Sequence, residues 1–218
     1  MSTKRLAPST GLPANRSTRS SALARESRRA GFELLIGLVA VMWILEIVNT
    51  LDSNGLDSDG IWPRNIGRLW GILTAPLLHA SFAHLIGNTI PLVFMGAIVA
   101  LRGAGRLAWV TLTVIVLGGL GTWLIGPSSP DTIGASGVVF GYATYLLARG
   151  FFNRSVLELM TGLIVGAVWG AALVSSLVPH PGISWQGHLC GGIAGVIAAY
   201  ALSRRREEPL TVPGLTAR

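Results

Sequence analysis

Cysteine occurs once among the 218 residues, at Cys190. A single thiol excludes an intramolecular disulfide framework and any cysteine-based zinc site, and within its apolar segment it reads as a small packing residue. Charge is scarce too: 12% of residues are charged, half are hydrophobic, and the charges crowd the two ends and the short connectors. Long apolar runs between them argue against a soluble domain and for an all-α polytopic membrane protein. There is no HExxH sequence and no pair of aspartates within an apolar run, which removes the zinc and paired-aspartate routes to hydrolysis inside a membrane. Nothing in the pattern calls for a metal or a cofactor. The net charge of +7 sits in tails and connectors, where the positive-inside rule accounts for it without a nucleic-acid partner.

Six segments are apolar for long enough to cross a bilayer, which takes about 20 helical residues. They are Phe32–Thr50, Phe82–Leu101, Leu107–Ile125, Ile133–Ala148, Val156–Val178 and Ser184–Leu202. Residues 1–30, rich in Ser, Arg, Pro and Ala, then form a disordered basic tail. Residues 31–203 form a six-transmembrane-helix bundle, and residues 204–218 a short polar tail. The first apolar run is too long for a cleaved signal, and Glu46 interrupts it. Alternate connectors carry Lys and Arg unequally, fifteen on one side against Arg64 and Arg68 on the other. That bias puts both termini in the cytoplasm. The longest connector, between the first two spans, is then external. Its mixture of Ile61, Trp62, Trp70 and Leu73 with charge suits a segment that folds back into the membrane interface.

On this topology the unusual polar residues converge. His84 and Asn88, in "HASFAHLIGN", lie one turn apart on a face of the second span. Ser136, in "TIGASGVVFG", opens the fourth span, and His188, in "SWQGHLCGGIAG", opens the sixth. All three spans run inward, so these residues share a level near the outer surface, with Ser136 and His188 roughly 5–8 Å below the helix ends. Each has a structural alternative: the serine bonding to its own backbone, the histidine or asparagine joining two helices. Taken together they supply a nucleophile, a base and oxyanion donors. Gly137 with Gly141, and Gly191 with Gly195, form GxxxG pairs beside Ser136 and His188, allowing the close helix approach that a Ser–His hydrogen bond demands. Gly134 leaves room for the chain to turn into the helix. The fourth and sixth spans hold no Asp or Glu, and Asp131 lies outside the fourth. The reading is therefore a Ser136–His188 dyad, with Phe140 stacked on the imidazole and an oxyanion held by the Ser136 N–H, Asn88 and His84. Water must reach such a site through a cavity open to the outside.

The segments "LTAPLLHASFAHLIGN", "GASGVVFG" and "GHLCGGIAG", in this order on the second, fourth and sixth spans, resemble the rhomboid intramembrane serine proteases. The resemblance covers residues 32–202 and implies a six-helix rhomboid bundle. It implies Ser136 and His188 as the catalytic dyad, and His84 and Asn88 as the lining of the oxyanion hole. It further implies cleavage of single-span or polytopic membrane proteins near the outer bilayer surface, at small P1 residues in helix-destabilised sequence. His79 matches a recurrent family histidine and reads as loop support. Two positions depart from the pattern: Gly71 follows Trp70 where many members have arginine, and Phe140 stands where many have tyrosine.

Two other functions compete. A proteolytically inactive relative that binds membrane clients would typically lack the serine or the last histidine, and both are present. A small transporter would place charge in the middle of the bundle and show inverted repeats, whereas Glu33, Glu46 and Glu158 lie near span ends and no clear repeat appears. The pattern fits a bacterial plasma membrane.

Overall fold

The computed structural model describes residues 16–127 and 132–204. Residues 1–15, Asp131 and the tail beyond Arg204 lie outside the described residues. Six long helices run α1 (Arg16–Leu51), α2 (Phe82–Ala100), α3 (Ala104–Ile125), α4 (Ser136–Phe152), α5 (Val156–Ser175) and α6 (Trp185–Arg204). Among the described residues the only β pairings are two isolated bridges, Ile61 with Thr132 and His180 with Ile183. The protein is an all-α polytopic membrane protein.

Several boundaries differ from expectation. Residues 16–30, expected to be disordered, continue α1 as helix. The stretch holds good helix formers (Ala, Leu, Arg, Glu), and Arg29 pairs with Glu33 one turn on at 2.8 Å. At 36 residues α1 is about 54 Å long, well beyond the ~30 Å hydrocarbon core. Helix α4 begins at Ser136 rather than Ile133 and runs to Phe152 rather than Ala148. Ser136 thus sits at the mouth of its helix, not a turn or more inside it. Helix α3 contains a π-helical turn, Val114–Gly118, which apolar periodicity does not disclose.

Among the described residues four helices are long and apolar enough to cross a membrane: α1, α2, α3 and α5. Their outer faces are apolar, as at Ile36 (66% exposed) and Val168 (60%), because the solvent they face is lipid. Helices α4 and α6 fall outside that set. Helix α4 is buried along most of its length and packs most extensively on α6, then on α5. A helix surrounded by protein is not required to present an apolar surface to lipid, so it can carry Ser136, Tyr142, Tyr145 and Arg149.

The α4–α6 seam is built from missing side chains. A Cβ at Gly191 would strike the Gly137 carbonyl, and one at Gly195 would strike the Gly141 carbonyl. Thr144 adds a hydrogen bond across the seam, donating to Gly192 O at 2.7 Å. The π turn of α3 joins the same packing, where a Cβ at Gly118 would lie 3.1 Å from Gly191 Cα. At the opposite end of the bundle, buried Glu158 accepts from Arg102 (2.6 Å) and Asn153 (2.6 Å) and lies 3.5 Å from Arg149. This cluster ties the α2–α3 connector to α4 and α5.

The α1–α2 connector, expected to fold back into the membrane interface, packs back against α3. It is a series of short helical turns with Ile61, Ile72 and Ala75 buried against Ile115 and Trp123 of α3. Ile66, Trp70 and Leu73 remain exposed. Arg68 lies over Trp62 at 4.4 Å and near Trp70 at 5.5 Å. Gly71 sits where a Cβ would strike Gly60 O, so close backbone packing demands a glycine there.

The seam predicts a sharp positional contrast. Gly191→Val or Gly195→Val should lower stability by about 1–3 kcal/mol or more, because backbone cannot yield to the added atoms. Gly170→Ala, whose added methyl would meet nothing within 4 Å, should be neutral or slightly stabilising. Thermal unfolding in detergent checks both.

Candidate active site

The site is assembled from the connector outward. Asn49 of α1 donates to His79 O (3.3 Å) and Asp57 Oδ1 (2.8 Å), while its own Oδ1 accepts from Leu56 N–H at 2.9 Å. This buried amide pins the connector to α1. Two connector groups then hold the approach to α4: Ala75 O accepts from Gly134 N–H at 2.8 Å, and His79 Nε2 accepts from Ala135 N–H at 3.3 Å. Gly134 has φ +114°, and a Cβ there would come within 2.6 Å of His84 Cε1 and 2.7 Å of His84 Nε2. Both the conformation and the close approach require glycine.

Ser136 follows as the first residue of α4. Its backbone N–H is among those that no carbonyl of its own helix can accept, at the positive pole of the helix. Its Oγ lies 2.8 Å from His188 Nε2. On the far edge of the same ring, Nδ1 lies 2.8 Å from Ser176 O. A carbonyl can only accept, so Nδ1 carries the proton and Nε2 presents its lone pair to the Ser136 hydroxyl. Phe140, one turn below Ser136, stacks on the imidazole with 4.4 Å between centroids and 5° between planes.

Helix α2 contributes the opposite wall. Ser81 caps it by accepting from His84 N–H at 3.2 Å, which fixes its first turn. His84 and Asn88 face a cavity of about 450 Å³ that is also lined by Gly134, Ser136, Gly137 and His188. Asn88 is buried, and its Nδ2 has no hydrogen-bond partner. The structure therefore brings together Ser136, His188, His84, Asn88, Gly134 and Phe140 at one end of the bundle, while Gly137, Gly141, Gly191 and Gly195 form the seam beneath. Among the described residues no group of three His, Cys, Asp or Glu is placed to hold a metal. His180 lies in the α5–α6 connector, exposed and in a small bridge with Ile183.

Ser176 was not visible to sequence reasoning. Its contribution is a backbone carbonyl, and no side-chain pattern marks which carbonyl a helix end will present. Buried His79 was legible only as loop support; the structure adds its bond to Ala135 N–H and an edge contact with His84, 5.1 Å between centroids. Burial, with the neighbouring His84 adding to it, depresses the His79 pKa from 6.5 to about 4.

Residues 66–205 match the family model described as the rhomboid domain. The chain is similar to an uncharacterized protein of Mycobacterium tuberculosis (strain H37Rv), with 43% identity over 181 residues, 79% of this chain and 75% of the relative. It is similar also to rhomboid protease GluP of Bacillus subtilis, 30% identical over 157 residues, 69% of this chain and 28% of that longer protein. Rhomboid-related protein 2 of mouse is 28% identical over 171 residues, 70% of this chain and 55% of the relative. The chain belongs to the rhomboid family.

His79 makes a pH prediction. Its folded-state pKa of about 4 lies below the ordinary 6.5, so between these values the unfolded chain binds a proton that the folded chain refuses. The stability associated with His79 is complete above pH 6.5 and is lost as pH falls towards 4. In His79→Gln, melting temperature in detergent should depend less on pH across that window than in the unaltered protein.

Proposed function

We propose that the chain is an intramembrane serine endopeptidase working through Ser136 and His188. The observation that carries this reading is the 2.8 Å contact of Ser136 Oγ with His188 Nε2, in a ring whose other nitrogen is engaged by a carbonyl. His188 takes the hydroxyl proton as Ser136 Oγ attacks a substrate amide carbonyl. The oxyanion that forms is held by the Ser136 N–H at the start of α4 and by Asn88 Nδ2, a buried donor with no other partner, with His84 beside it. His188 then gives its proton to the leaving amine as the C–N bond breaks. Water entering through the cavity attacks the acyl-enzyme, loses a proton to His188, and frees the acid and Ser136. Helix-end and amide donors cost no reorganisation when charge develops, which is why such groups dominate stabilisation of the transition state.

In this reading all six long helices cross the bilayer, and both termini face the cytoplasm of a bacterial plasma membrane. The active site opens near the outer surface. Its substrates are single-span or polytopic membrane proteins, cut at small P1 residues where the helix is easily unwound. The family membership and the protease name of the Bacillus relative support this class. A client-binding protein without proteolysis is the alternative, and an assembled Ser–His pair is not needed for binding alone.

The test uses purified protein in liposomes with a labelled single-span substrate. Ser136→Ala and His188→Ala should abolish cleavage, and Asn88→Ala should lower kcat by about 10²-fold or more. A serine-reactive fluorophosphonate should label the unaltered protein and spare Ser136→Ala. Undiminished cleavage by Ser136→Ala would overturn the mechanism; substrate capture without cleavage by the unaltered protein would favour the client-binding alternative.

A further inference from the structure

His188 has no carboxylate behind it: no Asp or Glu lines the cavity among the described residues. What stands behind it is the end of α5. The carbonyls of a helix's last turn lack intrahelical partners and form its negative pole, and their accounting in α5 leaves one for the imidazole. Val174 O accepts from Leu177 N–H and Ser175 O from Val178 N–H, each at 3.1 Å. The next carbonyl, Ser176 O, faces His188 Nδ1 at 2.8 Å.

We propose that the C-terminus of α5 takes the part of the missing triad acid: the Ser176 carbonyl orients the His188 imidazole, and the negative pole of α5 stabilises the imidazolium that forms when Ser136 attacks. This rests on the reading of Ser136 and His188 as nucleophile and base. The ring is restrained twice, in its plane by Ser176 O and across its face by Phe140. Either restraint alone would leave a rotation that turns Nε2 from Ser136. A carbonyl dipole at a helix end is weaker than a carboxylate, but it is already fixed against the ring at 2.8 Å. In a low-dielectric site its attraction for a developing cation is correspondingly larger. A carboxylate at this depth would itself have to be buried, at a desolvation cost that the helix end avoids.

The arrangement also explains a feature of the packing. Helix α4 packs extensively on both α5 and α6, and the C-cap of α5 meets the His188 ring at Nδ1 while Ser136, at the start of α4, meets it at Nε2. Gly162 of α5 seats against α4, where a Cβ would come 2.8 Å from Leu146 O and 2.7 Å from Leu147 Cα. The position of the Ser176 carbonyl therefore depends on how α5 rests on α4. Ser176 is a positioning residue acting through His188, and its own hydroxyl is turned away, donating to Ala172 O at 2.7 Å.

Because the acting group is backbone, the test is an amide-to-ester exchange in the full chain. Replacing Leu177 by its α-hydroxy acid weakens Ser176 O as an acceptor and deletes the Leu177 N–H bond to Val174 O. The same exchange at Val178 deletes the comparable bond to Ser175 O while leaving the Ser176 carbonyl an amide, and so controls for fraying of the helix end. Removing the acid of a Ser–His–Asp triad costs about 10⁴ in kcat; weakening this acceptor should cost roughly 10- to 100-fold, with KM within about twofold. Fluorophosphonate labelling should slow in parallel, and the low-field proton resonance of His188 Nδ1–H should move upfield. The Val178 ester should change none of these appreciably. Equal kcat losses in the two esters, or an unmoved resonance with kcat retained in the Leu177 ester, would overturn the proposal. If the unaltered protein neither cleaves nor labels, the protease reading fails instead, and the resonance still reports whether Ser176 holds the ring.

Discussion

The carbonyls of Gly137 and Gly141 on α4 lie against Gly191 and Gly195 on α6 with no space for a Cβ between them, and the rest of the site hangs from that contact. Ser136 adjoins Gly137, and His188 lies one turn before Gly191 on the same stripe of its helix. Side chains as short as a serine and a histidine meet across two helices only where the backbones nearly touch. The 2.8 Å contact between them is thus a property of the seam as much as of the two residues. Lipid offers no hydrophobic drive to press helices together, so the approach depends on close packing and on bonds such as Thr144 to Gly192 O.

Around the seam the protein is inside out relative to a soluble domain. Apolar side chains cover the faces of α1, α2, α3 and α5, and polar groups such as Asn49, Glu158 and His188 are gathered inward, where they find hydrogen-bond partners. At one end Glu158 neutralises arginines from two elements. At the other, Asn49 and His79 transmit the position of α1 through the connector to Ala135, the residue before Ser136. A buried polar group without a partner is costly, which makes the free Nδ2 of Asn88 informative. In the proposed reaction it is the donor that meets the oxyanion, and its cost is recovered only when charge appears in the cavity.

Much of this was legible in the residues. Apolar runs marked the long helices, and the alternation of their direction put Ser136, His188, His84 and Asn88 at one level. The glycine pairs announced a close contact, and Phe140, one turn from Ser136, announced the ring stack. Helix ends were read less well. Ile133–Ala135 looked helical by hydropathy, but the positive φ of Gly134 and the bonds drawn by Ala75 and His79 delay the helix to Ser136. The Ser- and Arg-rich segment before Phe32 looked unstructured by composition, yet propagation from a long established helix carries it back to Arg16.

Sequence by itself determined which helix faces are apolar, which side chains have the chemistry the proposed reaction needs and which residues are small enough for backbones to meet, because these follow from side-chain type and helical period. Tertiary structure decided what backbone atoms do. The π turn of α3 and the Ser176 carbonyl behind His188 leave no mark in side-chain pattern. A carbonyl is the same in every residue, and only packing says where it points.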